Sequence, residues 1–264
     1  MKLGVIGLGN MATALISGIV KKGLVSPEDI IGSAVHEESR TRAAERFGIR
    51  TTASNREVAA QSEVIVLAVK PISLPVVLEE ILDEVDENKL LISVAAGRTT
   101  KWFSEYFPHP IKIVRCMPNT PALVQEGCTA VCKNKNVTQE ELQEALVLLE
   151  SCGMTEVVSE NLMDVVVGVS GSSPAYVFMF IEAMADAAVK GGMPRKQAYR
   201  FAAQSVLGSA KLLLETGRHP GELKDMVCSP GGTTIEAVEV LEKAGFRAAV
   251  MEAVDACIEK SRNL

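Results

Sequence analysis

The run KLGVIGLGNMATALISGIVKKG, residues 2–23, decides the fold. A strand-like apolar stretch, residues 2–7, passes straight into residues 11–23, whose apolar positions recur at helical spacing and whose Gly23 is placed as a C-terminal stop. Between them Gly7, Gly9 and Ala12 keep the G-x-G-x-x-G/A spacing. Gly7 permits a tight turn, Gly9 lets a pyrophosphate approach the backbone, and the small Ala12 lets the helix pack on the sheet. Leu8, Asn10 and Met11 complete the loop. A dinucleotide site is expected here, with a purely structural turn as the bland alternative.

Outward from this unit the chain alternates. Residues 29–35, 63–69, 89–96 and 111–117 read as strands, and 39–48 and 138–153 as helices, with a last strand-like run at 154–159. Such alternation implies a mainly parallel sheet covered by helices on both faces. From Glu160 onward nearly everything is helical, with Pro174 and Pro194 as helix starts and Gly191, Gly217 and Gly245 as stops. A dinucleotide-binding domain over residues 1–159 and an all-α domain over 160–264 are therefore expected. Residues 198–214 put Phe201, Val206, Leu207, Leu213 and Leu214 on an arc wider than one neighbouring layer needs. Pairing with a second copy is expected, against the alternative of a helix buried centrally in its own chain.

Composition narrows the function. The 264 residues are 47% apolar, ample for a core, and carry 33 acidic against 27 basic residues with no basic block, so no nucleic-acid partner is expected. Asp164, Pro174, Glu182 and Asp186 interrupt the most apolar stretch, 162–193, so no membrane span is expected there either. Met1-Lys2 leads directly into a strand, and the six cysteines read as reduced, which suits a soluble cytoplasmic protein. Cys128 and Cys132 form a lone C-x-x-x-C without a second pair or a nearby histidine; no metal site is expected.

The end of the second strand bears on cofactor choice. An acid there would accept hydrogen bonds from a ribose 2′-hydroxyl and repel a 2′-phosphate. Ser33, Ala34, Val35 and His36 stand there instead, followed by Arg40 and Arg42, which favours NADP; Glu37 and Glu38 leave NAD as the second option. Asn55 joins Ser33 and His36 as a candidate on this side. The strand-to-turn stretches with Ala68, Val69, Lys70 and Pro71, and with Ala95, Ala96 and Gly97, are expected to wall the ribose and nicotinamide. Asn119, in a loop fixed by two prolines, can both donate and accept.

A second glycine-rich helix opening, CSPGGTTIEAVEVLEKAG at 228–245, lies in the helical part. Bare N–H groups at a helix start make an anion site. With it, GLGNMA at 7–12, AVKP at 68–71, AAG at 95–97, RCMPNTP at 115–121, GVSGSSPAY at 168–176, HPGELKDMVCSPGGTTI at 219–235 and GFRAAV at 245–250 together resemble the pyrroline-5-carboxylate reductase family. The resemblance implies a Rossmann-type doubly wound domain followed by an α-helical dimerisation domain that interlocks with a partner chain. It implies reduction of 1-pyrroline-5-carboxylate to L-proline with NADPH, in a homodimer or an assembly up to a decamer. Substrate would lie where two domains and two subunits meet. By the same resemblance Ser229, Gly231, Gly232 and Thr233 hold the substrate carboxylate, and the Thr234 hydroxyl meets the imine nitrogen. Water or a substrate already protonated in solution is the alternative proton source. Glu160 and Asp164 match family positions near substrate and cofactor, with ordinary exposed acids as the other reading.

Two rivals stand beside this. A β-hydroxyacid dehydrogenase shares the N-terminal fingerprint but places a catalytic lysine after its substrate glycine motif, and residues 172–189 contain no lysine. A non-catalytic NADP-binding sensor would not need the intact SPGGTT opening.

Overall fold

The computed structural model describes residues 1–263 and divides into two compact units, Met1–Gly171 together with the last turns of the C-terminal helix from Ile258, and Ser172–Cys257. The first unit is built on an eight-stranded sheet, β1 (Leu3–Ile6), β2 (Ile30–Ser33), β3 (Arg50–Thr52), β4 (Val64–Leu67), β5 (Leu90–Ser93), β6 (Lys112–Met117), β7 (Gly127–Lys133) and β8 (Gly153–Val157). Its order is β3-β2-β1-β4-β5-β6-β7-β8. Every pairing is parallel except β6 with β7. The chain leaves β1 toward β2 and returns on its other side at β4, so the carboxyl ends of β1 and β4 form the switch point where ligands sit in such sheets.

Helices α1 (Asn10–Lys21), α2 (Glu37–Phe47), α3 (Asn55–Gln61), α4 (Leu74–Ile81), α5 (Thr100–Ser104) and α6 (Gln139–Leu149) cover this sheet. Period-two alternation divides the strand residues between two cores. Leu3, Val5, Val64, Val66, Leu90, Ile92 and Val114 pack with α1 and α6, whereas Ile6, Ile65, Leu67, Leu91 and Ile113 pack with Leu74, Leu78 and Phe103. Burial on both faces is why the strands read as unbroken apolar runs.

Two strands, β3 and β7, are not among those expected. β3 is a polar three-residue edge, too short for any periodicity. β7 follows β6 after a short connection holding a single 3-10 turn, Thr120–Val124, and parallel pairing would need a longer crossover, so β7 turns back antiparallel.

The helical pattern begins at residue 160, but residues 160–171 lie with the sheet unit. A 3-10 turn (Glu160–Leu162), α7 (Met163–Val166) and a π turn (Val167–Gly171) fill this stretch, and Met163 is buried against Ala130 and Cys132 of β7. The second unit contains α8 (Ser173–Lys190), α9 (Arg195–Thr216), α10 (Pro220–Val227), α11 (Thr233–Lys243) and most of α12 (Phe246–Arg262). Pro174 opens α8, Pro194 caps α9, and Gly217 ends α9 in the left-handed conformation. The arc on α9 is not buried in its own chain: only Ala198 and Ala202 of that helix are. One expectation needs correction. The stretch Glu160–Lys190 contains a window long and apolar enough to cross a membrane, almost none of it buried, because the interrupting acids are too widely spaced to spoil it.

Candidate active site

The first helix opening has the shape its sequence demands. Gly7 adopts φ +95°, and a Cβ there would meet the Ala68 carbonyl oxygen at 2.7 Å and Val69 at 2.8 Å. Its N–H donates to Ser33 O at 2.9 Å, while Ala68 N–H donates to Ile6 O at 2.8 Å, so β1, β2 and β4 converge on this turn. Gly9, by contrast, is the extended N-cap residue of α1, and a Cβ on it would meet nothing within 4 Å. The α1 start has no side-chain cap and no acid in its first turn, which leaves the N–H groups of Asn10, Met11 and Ala12 bare beside open space. That is a cradle for a pyrophosphate. Leu8 points the other way, buried over Gly32, where a Cβ would strike it at 2.7 Å.

At the end of β2, Ser33 is fully buried and its hydroxyl donates to Asn55 Oδ1 at 2.6 Å. Asn55 Nδ2 in turn donates to Glu80 Oε2 at 2.6 Å. His36 is the exposed N-cap residue of α2. The Arg40 guanidinium donates to the carbonyls of Ala34 at 2.7 Å and Val35 at 2.9 Å, holding the strand end in place. Among the described residues Lys70 has no side-chain partner; it precedes the Pro71–Ser73 turn after β4. After β5, Ala95 is buried, Gly97 takes φ +75°, and Arg98 lies over the Trp102 ring at 4.9 Å with its Nε buried and unpartnered.

Asn119 is a staple. Its Oδ1 accepts from Cys128 N–H at 2.9 Å and its Nδ2 donates to Ser170 O at 3.0 Å, tying the loop after β6 to the π turn. Such turns recur at functional sites. Glu160 is gripped by Thr100, whose N–H and hydroxyl donate at 2.7 and 2.8 Å, and by buried Arg115 at 3.2 Å. Asp164 accepts from the Ser261 hydroxyl at 2.7 Å. Burial, with the Glu160 charge beside it, pushes the neighbouring Cys132 thiol up to about 11. Arg115 and Glu80 escaped sequence reading. The first had a signal, a lone arginine inside an apolar strand; the second reaches Asn55 from another helix and had none.

The second opening repeats the first. Gly231 takes φ +65°, Gly232 N–H donates to Ser229 O at 3.0 Å, and Gly232 is the extended N-cap residue of α11, again without a side-chain cap. A Cβ on Gly232 would strike Ser229 Oγ at 2.4 Å. The hydroxyls of Thr233 and Thr234 have no internal partner among the described residues, and although α11, unlike α1, carries an acid in its first turn, Glu236, the bare N–H groups at its head present a second anion cradle. No group of three or more His, Cys, Asp or Glu side chains suited to a metal occurs among the described residues.

Comparison with known proteins agrees with both halves. Residues 2–97 match the family model described as NADP oxidoreductase coenzyme F420-dependent, and residues 160–264 match that for pyrroline-5-carboxylate reductase dimerisation. The chain is 53% identical to a pyrroline-5-carboxylate reductase of Escherichia coli, over 100% of this chain and 98% of that one. Among solved structures, a pyrroline-5-carboxylate reductase from Coxiella burnetii superposes with a TM-score of 0.93 at 34% identity, covering 99% of this chain and 97% of that one. The Plasmodium falciparum pyrroline carboxylate reductase with NADP bound gives 0.90 at 36% identity, covering 100% and 97%.

Proposed function

The chain belongs to the pyrroline-5-carboxylate reductase family, and from that premise we propose that it reduces 1-pyrroline-5-carboxylate to L-proline with NADPH, the last step of proline biosynthesis. The observation that carries this reading is the pair of uncapped, glycine-opened helix starts, one for each anion the reaction must hold.

The residues fit the cofactor. Open space over Gly9 and the bare N–H groups of residues 10–12 suit a pyrophosphate, and Ser33, His36 and Asn55 mark the side on which a 2′-phosphate is read. Ala68–Pro71 and Ala95–Gly97 wall the ribose and nicotinamide. Bound, the reduced nicotinamide supplies the hydride that adds to the C=N carbon. The rest falls to the chain: alignment of the flat imine and stabilisation of charge. Ser229, Gly231, Gly232 and Thr233 take the substrate carboxylate, favoured by the α11 dipole. Thr234 hydrogen-bonds the ring nitrogen, which takes its proton from solvent water as hydride addition turns the C=N double bond into C–N. Glu160, with Arg115 and Thr100, holds the start of α5, and Asp164 anchors the end of α12.

Apolar side chains left bare on the helical unit support self-association through this region, and they also explain why Glu160–Lys190 meets the composition of a membrane span. The assembly unit we propose is a homodimer working in the cytoplasm, with a decamer as the higher form to be tested by mass.

Loss of the reduced-nicotinamide absorbance that depends on added pyrroline-5-carboxylate tests the activity; cofactor binding without turnover would leave only a sensor. Thr234→Ala should lower kcat about a hundredfold, as loss of one preorganised hydrogen-bonding group does, with NADP⁺ affinity changed less than about twofold. Unchanged turnover removes Thr234 from the mechanism.

A further inference from the structure

We propose that Glu80 sets how strongly this enzyme prefers a 2′-phosphorylated dinucleotide, acting as the acid that β2 lacks but delivered from α4. The inference rests on the cofactor reading above and adds a specificity determinant to it. Proteins of this fold that favour the unphosphorylated cofactor carry an Asp or Glu at the end of the second strand. Here that end is Ser33-Ala34-Val35-His36. The structure nevertheless brings a carboxylate to the place. Ser33 Oγ donates to Asn55 Oδ1 and Asn55 Nδ2 donates to Glu80 Oε2, each at 2.6 Å, so Glu80 stands two hydrogen bonds from the strand end.

This chain fixes the sense of the Asn55 amide. Its carbonyl is turned to Ser33, and one of the two N–H groups on Nδ2 is held by Glu80. A 2′-phosphate that accepts from the other N–H of Asn55 must sit beside a like charge. A 2′-hydroxyl meets no such repulsion and can itself donate to the carboxylate. Glu80 is exposed and has no ion pair among the described residues, and Arg56, next to Asn55, is taken by Asp83 and Glu84. Arg40 is turned onto the Ala34 and Val35 carbonyls. Glu80 therefore tempers the preference for NADP that the strand end alone would set.

Calorimetric dissociation constants for NADP⁺ and NAD⁺, measured on the full chain without substrate at low and high salt, test this in the parent, Glu80→Gln and Glu80→Asp. Gln keeps an acceptor for Asn55 and loses the charge. The ratio Kd(NAD⁺)/Kd(NADP⁺) should rise about three- to tenfold at low salt and less at high salt, as expected for an exposed charge near a phosphate. Asp should stay nearer the parent. Structural damage would weaken both dinucleotides alike and leave the ratio in place. A ratio that stays level or falls in Glu80→Gln, or an Asp variant indistinguishable from Gln, overturns the role of Glu80. A parent that binds neither dinucleotide overturns the cofactor reading itself.

Discussion

The sheet unit and the helical unit use their apolar residues in opposite ways. Leu3, Ile6, Ile65 and Leu78 of the first are completely buried within the chain. In the second, α8 buries only Ala185, and α10 and α11 bury nothing, while Phe178 is 64%, Phe201 67% and Leu214 74% exposed. Burying one such large side chain is worth about 1.5–3 kcal/mol, so a helical unit that leaves many bare is stabilised by a surface outside its own fold. A second copy supplies that surface, in keeping with the dimerisation family it matches. A parallel sheet closes its core with its own crossover helices; five helices alone do not.

Mutations on the two sides should therefore fail differently. The largest effect is expected for Leu78→Ala, a fully buried side chain, which should cost about 2–5 kcal/mol in denaturant unfolding of the sheet unit and do so equally at every protein concentration. A concentration-dependent loss would break the contrast. Next, Phe201→Glu should weaken self-association about a hundredfold in sedimentation, the scale of an interface hot spot, and leave unfolding of the sheet unit in place. A dimer unchanged by this charge would mean that the exposed arc of α9 is not the contact. Smaller still is the contrast between the two helix openings. Gly231→Ala forces a left-handed φ and should cost about 1–2 kcal/mol, whereas Gly9→Ala, with negative φ and free space, should change stability by less than about 0.5 kcal/mol while weakening NADP⁺ binding. Equal stability losses would contradict the geometry described for Gly9.

The smallest effect is on pH and thiol chemistry. Burial pushes Cys116 well above its ordinary value and Cys132 from 9.0 to about 11. A folded-state value above the unfolded one contributes stability below the unfolded value. That contribution is lost as pH rises toward 11, so melting of the sheet unit should fall over that window. Burial keeps both thiols protonated at pH 8 and shields them from reagent, so peptide mapping after iodoacetamide should find Cys116 and Cys132 unlabelled well after half-exposed Cys228 has reacted. Early labelling of Cys132 would show that its pocket opens.

Much of this was legible from local pattern. The β1 to α1 turn declared itself because Gly7 and Gly9 meet steric demands that act within a few residues. The α9 arc declared itself because too many apolar positions for one neighbour is a count that sequence permits. β7 did not: its direction depends on how far the β6 connection can reach. Nor did the engagement of Asn119 or Glu160, whose partners Ser170, Thr100 and Arg115 lie 51, 60 and 45 residues away.

Sequence by itself settled the βα frame and the two glycine-opened helix starts, since each rests on spacing along one chain, while the family and its reaction came from the resemblance of its motifs to those of known reductases. Tertiary structure alone decided that residues 160–171 pack with the sheet, that Ser33 faces inward onto Asn55, and that a carboxylate from α4 stands at the end of β2. Hydrogen bonds and burial between distant segments follow from where the folded backbone carries them, and no periodicity in the chain encodes that.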